Sequence, residues 1–474
     1  MIQDLSALLE KQGYDLYPKS VRATKDGGHI FVVRKGADKF VGVICGEDLN
    51  LDSPVSSASL SGASIGLYTL TWENYEKLKG VLPIAPSPCD KYASFGTGDR
   101  LGLVTAAHLS VDSNYPVFPV VSQQSPRELE RTGRTFKSVL LDAVMGVLES
   151  GYEGKYGADA DHIKDEKYLR LGAEAGYTMY TLDVSEWLAD VKGLSADEIK
   201  DKASKLSPAS LKILAELSGT KIPVPGMADY EVSGYALMES ALIYEKSMDQ
   251  VKQFRGVIKE YMSDFDLEVS IDEGSRDTTP EDHIYVASYL KANGVDFTSL
   301  APKFPGEFQK GVDYMGDVKA LEASFRIHAA LADGYRLSLH SGSDKFSIYP
   351  LFGEITGKNF HIKTSGTSWL QAVKLIASAN MPLFEELYKL CLDNLAESKK
   401  AYHVYITHDL FPAELPADVM PFFDTRDVRQ LFHISYGVLL DHKGAEIFSA
   451  LKENESEHYA FVGDHINEHL KLVF

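Results

Sequence analysis

Eight times between residues 92 and 369, a short apolar or β-branched run breaks off into glycine and polar side chains. The runs are "YASFGTGDR", "FPVVSQQS", "YGADADHIK", "YTMYTLDVS", "LEVSIDEGS", "FTSLAPKFPGE", "RLSLHSGSDK" and "NFHIKTSGTS". Helix-like stretches lie between many of them, such as "TFKSVLLDAVMGVLES", "EDHIYVASYLKANG" and "DVKALEASFRIHAALADG". The last two run out at Gly294 and Gly334, where a C-terminal cap is expected. Alternating strand and helix patterns favour a parallel sheet, and eight such units in about 280 residues have the size of a (β/α)8 barrel.

The expected architecture is therefore α/β: a TIM-type barrel over 89–380 with a helical insertion at about 184–263. Before it, residues 1–88 read as a small α/β extension. It has a hairpin, "HIFVVRKG" and "KFVGVICG", and an aromatic strand "IGLYTLTW"; "SPVSSASLSGAS" between them reads as a surface loop. Residues 381–474 read as a helical C-terminal region. Within the insertion, Leu237, Ala241, Tyr244, Met248, Val251, Phe254 and Ile258 recur at helical spacing, a stripe for packing.

A formal charge of -20 with no basic run argues against a nucleic-acid partner. Cys45, Cys89 and Cys391 are too few and scattered for a disulfide framework or a thiolate metal site. No apolar run approaches the ~18 residues of a membrane helix. The first residues show no secretory pattern, so a cytoplasmic location and a small-molecule substrate are expected.

In such a barrel the active site lies at the C-terminal ends of the strands. Those ends supply Asp99 and Arg100, then Gln124 and Arg127, then Asp161 and His162. Further on come Glu268 and Asp272, Glu307, then His340, Asp344 and Lys345, and finally His361 and Lys363. One charged strand end means little; polar tails around a common axis imply a site. His162, His340 and His361, with carboxylates nearby, suit a divalent metal such as zinc, manganese, nickel or iron(II). For any one histidine, a hydrogen-bonded core role is the plain alternative. Period-two spacing puts Glu268, Ser270 and Asp272 on one face, and burial there is expected to raise a carboxyl pKa. Asp161 and Glu268 form a candidate base and acid.

Two motif readings fail. "DADHIK" has Lys164 at the calcium-loop position that requires glycine, and Gly172 where glutamate is required. "GTGDRLG" departs from the dinucleotide spacing and lacks an acidic partner. Arg127, Arg131 and Arg134, around a helix start in "SPRELERTGRTF", fit an anionic group such as a sugar acid, with solvated surface charge as the alternative.

The segments "ASFGTGDRLG", "QQSPRELERTGRTFKSVLLDAV", "GYEGKYGADADHIK", "EVSIDE", "GVDFTSLAPKFPGEFQKGVDY", "SLHSGSDKFSIYP", "HIKTSGTSWLQAVK" and "VRQLFHISYG" resemble the tagaturonate epimerase family of bacterial hexuronate catabolism. The resemblance spans roughly residues 92–440. It implies a metal-dependent 4-epimerase interconverting D-tagaturonate and D-fructuronate. It further implies His162 and His340 on the metal, Asp161 as base and Glu268 as acid, with Asp272 next. Either Glu307 or His361 completes the metal set. Asp99, Arg100, Gln124, Arg127, Asp272, Asp344, Lys345 and Lys363 are the candidate substrate contacts.

The 4-position of such a ketose is β to the carbonyl, so its hydrogen is not acidified. With no convincing nicotinamide site, retro-aldol cleavage and re-addition is the expected route, a metal stabilising the enediolate. Rival readings are a metal-dependent sugar-acid aldolase and a non-catalytic sugar-acid-binding subunit. Neutral ketoses such as tagatose and fructose also remain candidate substrates, with Arg127, Arg131, Arg134, Lys345 or Lys363 as readers of a terminal carboxylate.

Overall fold

The computed structural model of the protein describes residues 2–25, 27–44, 49–52, 54–60, 63–274, 276–364, 366–400, 402 and 404–474. Cys45 and Ser365 lie outside the described residues. All eight anticipated runs form strands: β1 (Ala93–Thr97), β2 (Val117–Gln124), β3 (Gly157–Ile163), β4 (Met179–Asp183), β5 (Asp266–Ile271), β6 (Ser299–Pro302), β7 (Arg336–Leu339) and β8 (Phe360–Thr364). Each pairs in parallel with its sequence neighbours, and β8 closes on β1. The chain is a closed (β/α)8 barrel.

Several helices between strands start at a built cap. Thr279 and Asp282 form a capping box ahead of Pro280–Ala292, and Thr135 with Ser138 does the same for Phe136–Ser150. Between β4 and β5 the chain makes the helices Ala196–Ala203, Pro208–Leu217 and Gly234–Lys259. All seven residues of the stripe from Leu237 to Ile258 are buried.

Before the barrel lies a six-stranded antiparallel sheet. The hairpin His29–Lys35 with Asp38–Ile44 is there as expected. The stretch expected as a loop instead contains a strand, Ser56–Leu60, paired with Ala63–Tyr68. Serine and alanine carry little β-propensity, so its pattern is invisible in the sequence. After β8 come α1 (Thr367–Ala379), Met381–Asp393, α2 (Arg426–Glu453) and α3 (Glu455–Val473). Among the described residues, no helix is long and apolar enough to cross a membrane.

Candidate active site

Strand β3 does not keep the two-residue period. Tyr180 faces Ala160 and Leu182 faces Ile163, so two steps on β4 span three on β3. This bulge falls on Asp161 and His162, and His162 sits at φ 53, in the left-handed region. Regular alternation would send the two side chains to opposite faces. Here His162 Nδ1 lies 2.7 Å from Asp161 Oδ1, and the His162 ring stacks 4.4 Å from that of His340. One ligand atom from each of Asp161, His162 and His340 lies within 4.8 Å of the others.

Beneath them, Lys363 on β8 joins three carboxylates from two strands, β3 and β5. Its Nζ is 2.6 Å from Asp161, 2.8 Å from Asp159 and 3.1 Å from Glu268, and it also donates to the Thr181 hydroxyl. Burial opposes the lysine charge, but these three carboxylates hold its pKa above the ordinary lysine range. Glu268 is anchored by Ser299 Oγ at 2.6 Å and by His340 Nε2 at 3.0 Å. Burial alone would raise the Glu268 pKa; Lys363, His361 and His340 overcome it and hold the carboxyl well below its usual range. The expected upward shift at Glu268 is thus reversed, because the cations are closer than the sequence reveals.

Asp272 stands at the rim, 3.1 Å from His340 Nδ1 and bonded by Ser270. Burial there is outweighed by His340, and the Asp272 pKa falls to about 2. Burial disfavours charge on His340 too, yet Asp272, together with the hydrogen bond that His340 donates to Glu268, takes its pKa up to about 10. Carboxylates that favour a charged imidazole make this a place for positive charge, which fits a divalent cation bound by imidazole and carboxylate.

A cavity of about 640 Å³ opens over this cluster. Asp161, His162, His340 and Lys363 line it, together with Arg100, Gln123, Arg127, Gln309, Lys310 and Tyr402. Other anticipated residues are placed elsewhere. Glu307 is exposed and pairs through its backbone with Met315. His361 is buried, with Nδ1 2.8 Å from Ser94 Oγ, outside the Asp161–His162–His340 group. Asp99 caps the turn after β1, accepting from Gly102 N and Val104 N at 2.8 Å each. Gln124 is buried behind the cavity wall, which its neighbour Gln123 lines instead.

Asp344 lies in a separate cleft, 2.6 Å from His465 and 3.3 Å from Arg429. With His465 and His469 it makes a second group of potential ligands. Yet His469 Nε2 already accepts from Asp344 N, and the Arg429 charge faces the carboxylate. Lys345 Nζ is spent on the carbonyls of Gln309, Val312 and Ser343. The helix Pro126–Thr132 closes its own N-terminus with a Ser125–Glu128 capping box, so the anion site expected there is not formed by that helix end. Arg134 is likewise occupied, by Asp142 and the Asp99 carbonyl. Asp159 stands in the third strand-end run without a role legible there, and Thr181, Lys310 and His433 carry no site signal in the sequence. The first two are interior barrel positions, and His433 sits on α2 far beyond the last strand.

A closed (β/α)8 barrel with ionised carboxylates, paired imidazoles and a buried lysine at the C-terminal strand ends defines a barrel enzyme acting on a polar small molecule. The family model described as tagaturonate epimerase matches residues 17–473. A tagaturonate/fructuronate epimerase of Thermotoga maritima is 38% identical over 472 residues, 98% of this chain and 97% of that protein. The crystal structure of a glycerol-bound fructuronate-tagaturonate epimerase from Cohnella laeviribosi superposes with a TM-score of 0.90 at 33% identity, covering 99% of each chain. Its native form gives the same TM-score and identity. The chain belongs to the tagaturonate epimerase family. The match also reaches into the first 90 residues and the C-terminal tail, beyond the span recognised from motifs.

Proposed function

We propose that the protein interconverts D-tagaturonate and D-fructuronate by inverting carbon 4, with a divalent metal held by Asp161, His162 and His340. The observation that carries this reading is the bulge in β3, which turns Asp161 and His162 together toward His340 at the floor of one cavity. Family membership supports the substrate pair. When bound, the metal supplies a Lewis acid for negative charge developing on the ketone oxygen.

The chain's own groups handle the proton. Burial raises the Asp161 pKa, but His162 and Lys363 outweigh it and keep the carboxylate ionised. The bonds to His162 Nδ1 and Lys363 both use Oδ1. Asp161 therefore takes the proton of the 4-hydroxyl, and the C3–C4 bond breaks with its electrons passing toward the carbonyl. The aldehyde turns its other face, the bond re-forms, and the new alkoxide recovers a proton from the Asp161–Lys363 pair. Glu268 is fully buried and acts through Lys363 and His340, rather than as the acid facing substrate.

Substrate carrying deuterium at carbon 4 tests this route. Retention of the label in the epimerised product is expected. Washout into solvent would mean direct deprotonation at that carbon and would sink the retro-aldol reading.

A further inference from the structure

Five cationic side chains line the cavity: Arg100, Arg127, Lys164, Lys310 and Lys363. Three are committed to carboxylates. Arg100 pairs with Glu128 at 3.0 Å, Lys164 with Asp183 at 3.1 Å, and Lys363 with Asp159, Asp161 and Glu268. Among the described residues, Arg127 and Lys310 make no ion pair.

Both stand in one corner of the cavity. The Arg127 guanidinium lies 5.4 Å from the ring centre of Tyr402, whose ring is 6.2 Å from that of His433. Gly311, next to Lys310 in the chain, lies against His433, where an added Cβ would come 3.3 Å from the His433 Cβ. In this corner the hydroxyl of Tyr402 and both ring nitrogens of His433 are buried and, among the described residues, have no hydrogen-bond partner. Orphaned buried polar groups cost stability, so a cluster of them beside two cations marks a place for an acceptor-rich anion. The N-terminus of α1 points the same way. Its N-cap, Gly366, has φ 80 and no side chain of its own to cap with, and a Cβ there would collide with His433 and the Arg100 guanidinium.

The segment carrying Lys310 is fixed from several sides. Lys345 Nζ holds the carbonyls of Gln309 and Val312, Arg429 donates to the Gly311 carbonyl at 3.2 Å, and Gln430 holds the Gln309 side chain at 2.9 Å. Lys310 is thus presented on a preorganised backbone, which lowers the ordering cost of binding.

We propose that Lys310, Arg127 and the Tyr402 hydroxyl form the subsite that reads the terminal carboxylate of the substrate, with His433 and the α1 N-terminus behind it. This rests on the reading of the substrate as a ketohexuronate, and it makes Lys310 and Arg127 the residues that separate uronates from neutral ketoses. Lys345 then supports this subsite by positioning Lys310 rather than by touching substrate.

Two measurements test the subsite. For Lys310→Met, Arg127→Met and the double variant, the ratio of kcat/KM for tagaturonate over tagatose is expected to fall about tenfold or more, mainly through KM. Calorimetric binding of gluconate, a non-reacting hexonate, is expected to weaken by a similar factor in the same variants. Should Lys310→Met fail to fold, Arg127→Met, on an exposed helix start, carries the test. A ratio and a gluconate affinity within twofold of the unsubstituted protein would overturn the subsite. Absence of epimerisation by the unsubstituted protein would overturn the functional reading instead, while gluconate binding would still judge the subsite, failing it if no binding is seen.

Discussion

Lys363 shows how much a single side chain can hold. Its ammonium lies among three carboxylates from β3 and β5, two of which meet the candidate metal group directly. Replacing it by methionine would leave those charges buried and unpaired, a change that costs about 3–5 kcal/mol. Lys363→Met is therefore expected to lower the urea midpoint markedly and to abolish epimerisation; an unchanged midpoint would contradict the hub. At this scale the sequence was partly legible. Asp161, His162 and His340 could be read because each closes a strand whose apolar run makes its end visible. Lys363 was visible for the same reason, but not that its charge is consumed inside the barrel. Lys310 and His433 gave no local signal, since a lysine past a strand and a histidine on a helix look like surface and core.

At the scale of elements, the β3 bulge and the N-cap of α1 decide where side chains go. Gly366 needs its left-handed backbone and the room that a Cβ would take from His433 and Arg100. Gly366→Ala is expected to destabilise the protein by about 1–3 kcal/mol, read as a shift of the urea transition. A shift below a few tenths would mean that the contact relaxes freely. All eight barrel strands were legible because apolar runs broken by glycine and polar groups recur around the barrel. The strand Ser56–Leu60 was not, having serine and alanine where β-branched residues usually signal pairing. The bulge was equally silent: "DADHI" reads as plain alternation, and only the pairing with β4 exposes the extra residue.

At the scale of the whole molecule, the N-terminal sheet is tied to the rest of the chain by charge. Lys39 Nζ lies 2.6 Å from both Glu149, on the helix Phe136–Ser150, and Glu455, at the start of α3. Tyr17 and Arg34 add further bonds to Glu455. Sequence alone marked this region as an extension, and long-range ion pairs of this kind leave no periodic trace. Buried histidines set the acid limit of the assembly. Burial lowers His108, His328 and His458 to about 4 from an ordinary value near 6.5. Between those values the unfolded chain binds more protons than the folded one, so stability falls as pH drops from about 6.5 to 4. Each group contributes up to about 1.4 kcal/mol per pH unit within that window. Urea midpoints are expected to decline steadily from pH 7 to pH 5, and flat midpoints would contradict neutral burial.

The reaction proposed for these strand ends is a metal-assisted epimerisation of ketohexuronates. It is tested most directly by incubating chelator-treated and metal-reloaded protein with D-tagaturonate and quantifying the sugars. D-fructuronate is expected from the reloaded protein, little or none from the chelated one, and no accumulation of three-carbon fragments. Equal turnover by both forms, or release of fragments without fructuronate, would contradict it.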